Sequence, residues 1–157
     1  MTASGGVTIP SVDFLRERVG QEIATSGWID VTQDRIDRFA EATDDRQWIH
    51  TDPDRAAAES PFRTTIAHGF LTLSLVSALA DRAMALPPGK MGVNYGLNRV
   101  RFVAPVPSGS RVRGRFTPTD VADVDGGAVQ VVWSIVVERE GLSKPCMIVE
   151  WIVRYYR

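Results

Sequence analysis

The chain has only two histidines, His50 and His68, and both fall in one short run, residues 45–69. The run begins D-R-Q-W-I-H-T-D-P and ends A-H-G, with Phe70 next. It also carries Asp45, Asp52, Asp54 and Glu59, with Asp44 just ahead of it. Imidazole titrates nearest neutral pH, so a histidine is the side chain best suited to exchanging protons there. Asp45 lies five positions before His50. Helical neighbours sit at three or four, so the two cannot stack along one helix. Bent around a helix end, they can converge on one small molecule such as a water. His68-Gly69-Phe70 then opens a long apolar segment. At a helix start the first backbone N–H groups are free and point at whatever lies beyond.

Those residues need elements to hold them. Residues 12–19 read as a short helix, and residues 20–30 alternate weakly as a first strand through Ile23, Trp28 and Ile29. A helix follows, with Thr32 as N-cap, Asp34 in its first turn, and Ile36, Phe39, Ala40 and Thr43 on one face. It should end near Asp44-Asp45, which puts Asp45 at a C-terminal exit where the helix dipole disfavours a negative charge. On the residues alone, a solvated loop aspartate is the plainer reading of Asp45. Asp52-Pro53 is an N-cap followed by a first-position proline, so Asp52 and Asp54 have structural explanations. The longest helix runs from Gly69 to about Ala85, closed by Pro87-Pro88-Gly89. Its apolar residues fall on nearly every side, which predicts a helix buried all round.

After it the period changes to two. Residues 93–103, 110–121, 128–140 and 144–157 read as strands, with Asp125-Gly126-Gly127 and Glu140-Gly141 as turns. One strand face is Val129, Val131, Trp133, Ile135 and Val137; another is Met147, Val149, Trp151, Val153 and Tyr155. The expected fold class is α+β, with a five-stranded antiparallel sheet around one long helix. Arg99 and Arg101, and Arg111, Arg113 and Arg115, each share a sheet face. A solvated outer face is the plainer reading; a site for the phosphates of a nucleotide-bearing ligand is the other.

The constellation resembles the (R)-specific enoyl-CoA hydratases of the MaoC-like dehydratase family. That pattern is an aromatic residue, a helix end, Asp, four residues, His, then a small-residue turn and His-Gly. Phe39, Asp45, His50, Ala56, Ala57 and His68-Gly69 match it, and N-Y-G-L-N-R-V-R-F-x-A-P-V at 94–106 extends the match. The resemblance runs from about residue 20 onward. In one departure, Gln47-Trp48 stands where the family most often has Asn-Pro, and Trp48 does not fix the backbone as proline does.

The resemblance implies a hot-dog fold, in which the sheet wraps the central helix. It implies reversible addition of water to a trans-2-enoyl-CoA, giving the (R)-3-hydroxyacyl-CoA of fatty acid metabolism. Asp45 and His50 would hold and activate the water, and the Gly69 N–H would stabilise the charge that builds on the thioester oxygen. Gln47, His68 and Asn98 are further candidates for touching substrate or supporting the site. No cofactor is implied beyond the coenzyme A of the substrate. A homodimer is expected, with residues 94–98 near its interface. Four other readings compete: a hot-dog thioesterase, a 3-hydroxyacyl-carrier-protein dehydratase, a non-catalytic acyl-binding module, and a metal site made of Asp45, His50 and His68. The last matches no known ligand spacing.

Composition bounds the rest. The 157 residues suit one domain, expected over 11–157 behind a flexible tail at 1–10. A formal net charge of −1 does not suggest a nucleic-acid surface. The single cysteine, Cys146, cannot close an intramolecular disulfide and reads as a small strand residue; it fits a reducing, cytoplasmic setting. No signal peptide is visible at the start, and the most apolar stretch, 70–80, is too short to span a bilayer.

Overall fold

The computed structural model describes residues 6–86 and 91–156. In chain order the elements are β1 (Val7–Thr8), α1 (Val12–Arg16), β2 (Ala24–Thr25), β3 (Ile29–Val31), α2 (Gln33–Thr43), α3 (Trp48–Thr51), α4 (Pro53–Glu59), α5 (Gly69–Ser74) and α6 (Val76–Ala83). They are followed by β4 (Met84–Ala85), β5 (Met91–Phe102), β6 (Ser110–Val124), β7 (Ala128–Arg139) and β8 (Met147–Tyr156).

The main sheet has the order β2-β6-β7-β8-β5, with β3 also on β6, and every pairing in it is antiparallel. The period-two pattern sets its register. Trp133 faces Trp151, Ile135 faces Val149 and Val137 faces Met147 across β7 and β8. The inner face is therefore a continuous apolar surface, with Val131, Ile135, Val137, Met147 and Val149 fully buried. The helical pair α5–α6 lies on that face through Leu71, Leu75, Val76, Leu79 and Ala83. Gly114 on β6 makes room. A Cβ there would meet the Phe116 ring at 2.9 Å and the Leu79 Cβ at 3.5 Å. Leu79 is completely buried, and truncating such a side chain to alanine costs about 2–5 kcal/mol.

Several expectations are refined. The first strand is split into β2 and β3, which gives six strands in place of five. Ser26 sits between the two pieces: its N–H donates to the Gly114 carbonyl, and its Oγ accepts from the Gly114 N–H at 2.9 Å. A side chain thus stands in for one rung of the ladder. The long helix is interrupted at Leu75, but the Leu75 N–H still donates to Leu71 and the Leu79 N–H to Leu75. It ends at Ala83, and the chain goes straight into β4. The Pro87-Pro88-Gly89 stop expected there lies outside the described residues.

The helix is also not buried all round. One stripe faces the sheet, while Phe70, Ser74, Ser77, Ala78 and Asp81 are exposed. Up to Ala78 the open side is carried by small residues and one aromatic, which is why that stretch reads as apolar all round; Asp81 and Arg82 follow on it. The flexible tail expected through residue 10 is likewise corrected at its end: Val7–Thr8 pairs in parallel with β4, and Ile9 is fully buried, so hydrophobic burial ties residues 7–9 down. Residues 1–5 lie outside the described residues.

Candidate active site

The Thr32 Oγ1 accepts the Arg35 N–H and starts α2, whose buried face is Ile36 and Ala40. The helix stops at Asp44, which takes a left-handed conformation (φ 60°, ψ 12°) that aspartate tolerates better than most residues. This reversal throws Asp45 out of the helix line, with its side chain exposed. The next turn, α3, carries His50 inward until only 7% of it is exposed. α3 begins without a proline, and the Arg55 guanidinium lies 4.4 Å over the Trp48 ring. Asp52 caps α4 by accepting the Arg55 N–H at 3.0 Å, with Pro53 behind it.

Two segments, 45–50 and 65–69, are stitched together. The Ile66 N–H donates to the Ile49 carbonyl at 3.0 Å. The His50 Nδ1–H donates to the Ile66 carbonyl at 2.6 Å, and the His68 Nε2–H to the Asp45 carbonyl at 2.9 Å. From α2, the Gln33 amide donates to the His50 carbonyl at 2.7 Å, while its Oε1 accepts from the Thr65 hydroxyl at 2.5 Å. A carbonyl can only accept, so these contacts fix the tautomer of each histidine. The His50 Nε2 is left to face a ligand.

A carboxylate oxygen of Asp45 and one ring nitrogen each of His50 and His68 lie within 4.8 Å of one another. Asp45 and His50 make no direct hydrogen bond in the structure. With hydrogen bonds of about 2.8 Å, a single water fits between two acceptors that far apart. Burial holds the His50 imidazole below its usual titration range, and the proximity of His68 acts in the same direction. The bond to Ile66 and the Asp45 carboxylate oppose this. The ring is therefore neutral near pH 7, with an Nε2 lone pair that can accept a proton.

His68 is almost completely buried, packs against Phe39 with ring centroids 5.0 Å apart, and stacks on His50 at 3.8 Å. The two histidine planes are only 24° from parallel.

Gly69 heads α5, and its backbone N–H has no partner among the described residues. A Cβ here would lie 3.0 Å from the Phe102 ring, so glycine is also what lets β5 close over the helix start. Beside it is a cavity of about 310 Å³, lined in part by Phe62, Ile66, Thr72, Phe102 and Val106.

The other sequence candidates fall differently. Gln47 is exposed at the start of α3, and only its backbone carbonyl is engaged, accepting from the His50 N–H and the Thr51 hydroxyl. Asn98 is exposed on β5, where the register shifts between Leu97 and Arg99, and it is not among the residues that close around the dyad in this chain. Arg111, Arg113 and Arg115 are spent on carboxylates: Arg111 pairs with Glu140, Arg113 with Glu138 at 2.7 Å, and Arg115 with Glu22 at 2.9 Å. The solvated outer face is the reading that holds for these three. Burial pushes the Cys146 thiol up to about 11, and its S–H faces the Val137 carbonyl, as suits a packed strand residue. Sequence reasoning missed Gln33 and Thr65, whose tie spans 32 positions and leaves no mark on local spacing.

The family model of the MaoC like domain matches residues 14–139, and the chain belongs to this dehydratase family. It is 49% identical over 148 residues to 3-hydroxyacyl-thioester dehydratase Z of Mycobacterium tuberculosis, covering 94% of this chain and 97% of that protein. It is also 49% identical to nodulation protein N of Rhizobium leguminosarum bv. viciae, over 86% of this chain and 84% of that one. Among solved structures, an (R)-hydratase from A. caviae involved in PHA biosynthesis superposes with a TM-score of 0.66 at 26% identity, covering 86% of this chain and 94% of that chain. The monoamine oxidase regulatory protein from Archaeoglobus fulgius superposes with a TM-score of 0.77 at 20% identity, over 98% and 97%. The hot-dog α+β fold is thus established for the chain.

Proposed function

We propose that the protein adds water reversibly to trans-2-enoyl thioesters, as an (R)-specific enoyl-CoA hydratase acting in fatty acid metabolism. The observation that carries this reading is the spacing of Asp45 and His50. They are within 4.8 Å and unbonded to each other, and the N–H of Gly69, next in sequence to His68, has no partner among the described residues. The likeness to a 3-hydroxyacyl-thioester dehydratase across nearly its full length supports the reaction class.

We infer the following chemistry from that spacing. One water donates its two hydrogens to the Asp45 carboxylate and the His50 Nε2, which leaves an oxygen lone pair directed away from both. That lone pair attacks C3 of the enoyl group. His50 takes the proton and returns it to C2, so one imidazole serves as base and then as acid. The negative charge passing through the thioester oxygen is met by the Gly69 N–H, a donor whose removal typically costs about 3 kcal/mol of barrier. Dehydration is the same path reversed. Attack at C3 leaves the thioester intact, which separates this reading from hydrolysis. No helix among the described residues is long and apolar enough to cross a membrane.

The test is loss of the conjugated enoyl absorbance with crotonyl-CoA and longer trans-2-enoyl-CoA substrates. Product is coupled separately to (R)- and (S)-specific 3-hydroxyacyl-CoA dehydrogenases, while a thiol reagent follows free CoA. The expected result is (R)-3-hydroxyacyl-CoA with no thiol release. Free CoA appearing as fast as the absorbance falls would overturn the hydratase reading. Faster turnover of the same enoyl group on a carrier protein would replace CoA as the favoured thioester.

A further inference from the structure

Asp45 has no anchor of its own. It follows a left-handed residue, its side chain is exposed, and its carboxylate makes no hydrogen bond within the described residues. The contact that ties it to the fold is the His68 Nε2–H on its carbonyl, at 2.9 Å. His68 itself is only 2% exposed, and its Nδ1 has no partner. An acceptor buried without a donor costs about 1–3 kcal/mol. A leucine or phenylalanine would fill the space between Phe39 and His50 without that cost. What histidine adds there is the Nε2–H donor.

We propose that His68 is a positioning residue: its Nε2–H clamps the Asp45 main chain so that the carboxylate stays at the distance from His50 at which the two share one water. The clamp rests on the hydration reading above. In this role His68 acts through Asp45, by the hydrogen bond to its carbonyl. A reacting group displaced by about 1 Å can cost on the order of 100-fold in rate, so a single main-chain hydrogen bond is enough to matter.

Two substitutions separate a clamp from a space-filler. His68→Phe keeps a ring against Phe39 and His50 but removes the donor. His68→Gln keeps an amide donor and loses the ring. A clamp predicts that His68→Phe lowers kcat at least about tenfold with KM within about twofold, while His68→Gln stays within about threefold of wild type. In an Asp45→Asn background, His68→Phe should cost no more than about twofold further, because the group it positions is already gone. Phenylalanine equal to or better than glutamine in kcat would overturn the proposal, as would full additivity with Asp45→Asn.

A second readout is independent of turnover and of how the variants fold. Long-range ¹H–¹⁵N spectra of the wild-type protein should show His68 protonated at Nε2, and a proton on Nδ1 would overturn the clamp. Should the wild-type protein hydrate no enoyl thioester, the function proposed above falls, while these spectra still judge the clamp.

Discussion

The Nδ1–H of His50 donates to the carbonyl of Ile66 at 2.6 Å, at the buried base of the site. The bond presents Nε2 outward as a lone pair, and burial keeps the ring from charging. This has a thermodynamic consequence. The folded-state pKa of His50 is lowered, so the unfolded chain, titrating near about 6.5, takes up the proton first. Stability is therefore unaffected by this group above that pH and falls as pH drops through the window between the unfolded and folded values. The slope from one such group is at most about 1.4 kcal/mol per pH unit. Urea unfolding of wild type and His50→Gln from about pH 7.5 to about 5 should show a steeper acid loss in the wild type. Parallel curves would contradict a depressed pKa.

Asp45→Asn and His50→Gln should each remove nearly all hydration while the protein stays folded by circular dichroism. Both groups hold one water, so neither covers for the other, and the double variant should be hardly worse than either single one. A single variant keeping more than roughly a tenth of wild-type turnover, against the typical 100-fold contribution of acid–base groups, would dispose of the shared water.

The outer edge of β5 pairs with no strand among the described residues, and Met91, Val93, Tyr95 and Leu97 are all exposed along it. Long apolar edges template further pairing unless something covers them. A second copy of the chain, meeting the first β5 to β5, is the expected occupant. Light scattering at micromolar concentration should give twice the chain mass, and Leu97→Lys should shift it toward monomer. A monomeric wild type would rule this pairing out.

Gln33 uses both ends of its amide between α2 and the site, on His50 and Thr65. Thr65 is almost completely buried, so Gln33→Leu leaves its hydroxyl without an acceptor. The expected loss is about 1–3 kcal/mol in denaturant unfolding. A variant as stable as wild type would mean that water replaces the amide.

Much of this arrangement is legible from residue type and spacing. Thr32 and Asp52 announce their helices because an oxygen that accepts an early N–H is a local requirement. Trp133 and Val149 report their face through the pleat. Asp45, His50 and Gly69 stand out because their spacing matches a known pattern, and the fold brings Asp45 and His50 within 4.8 Å of each other. What stays hidden is long-range. Ser26 replacing a ladder rung at Gly114, Gln33 reaching Thr65, and Ile9 filling the core beside β4 all depend on partners far along the chain. The open side of α5–α6 is hidden for another reason: alanine and serine suit a core and a surface equally well, so Ser77 and Ala78 do not say which they face.

The stitching of segments 45–50 and 65–69 bears on how the protein is cut. A protease needs its substrate chain extended, and a surface loop is normally the first place to supply it. Here, freeing either segment means breaking the bonds at Ile49, Ile66, Asp45 and Gln33 together, and Ala67 is also held by the Val106 carbonyl at 2.8 Å. An irregular stretch so tied opens only when the surrounding fold opens. Under limited proteolysis this region should stay intact while native protein remains, and activity should disappear in step with the folded population.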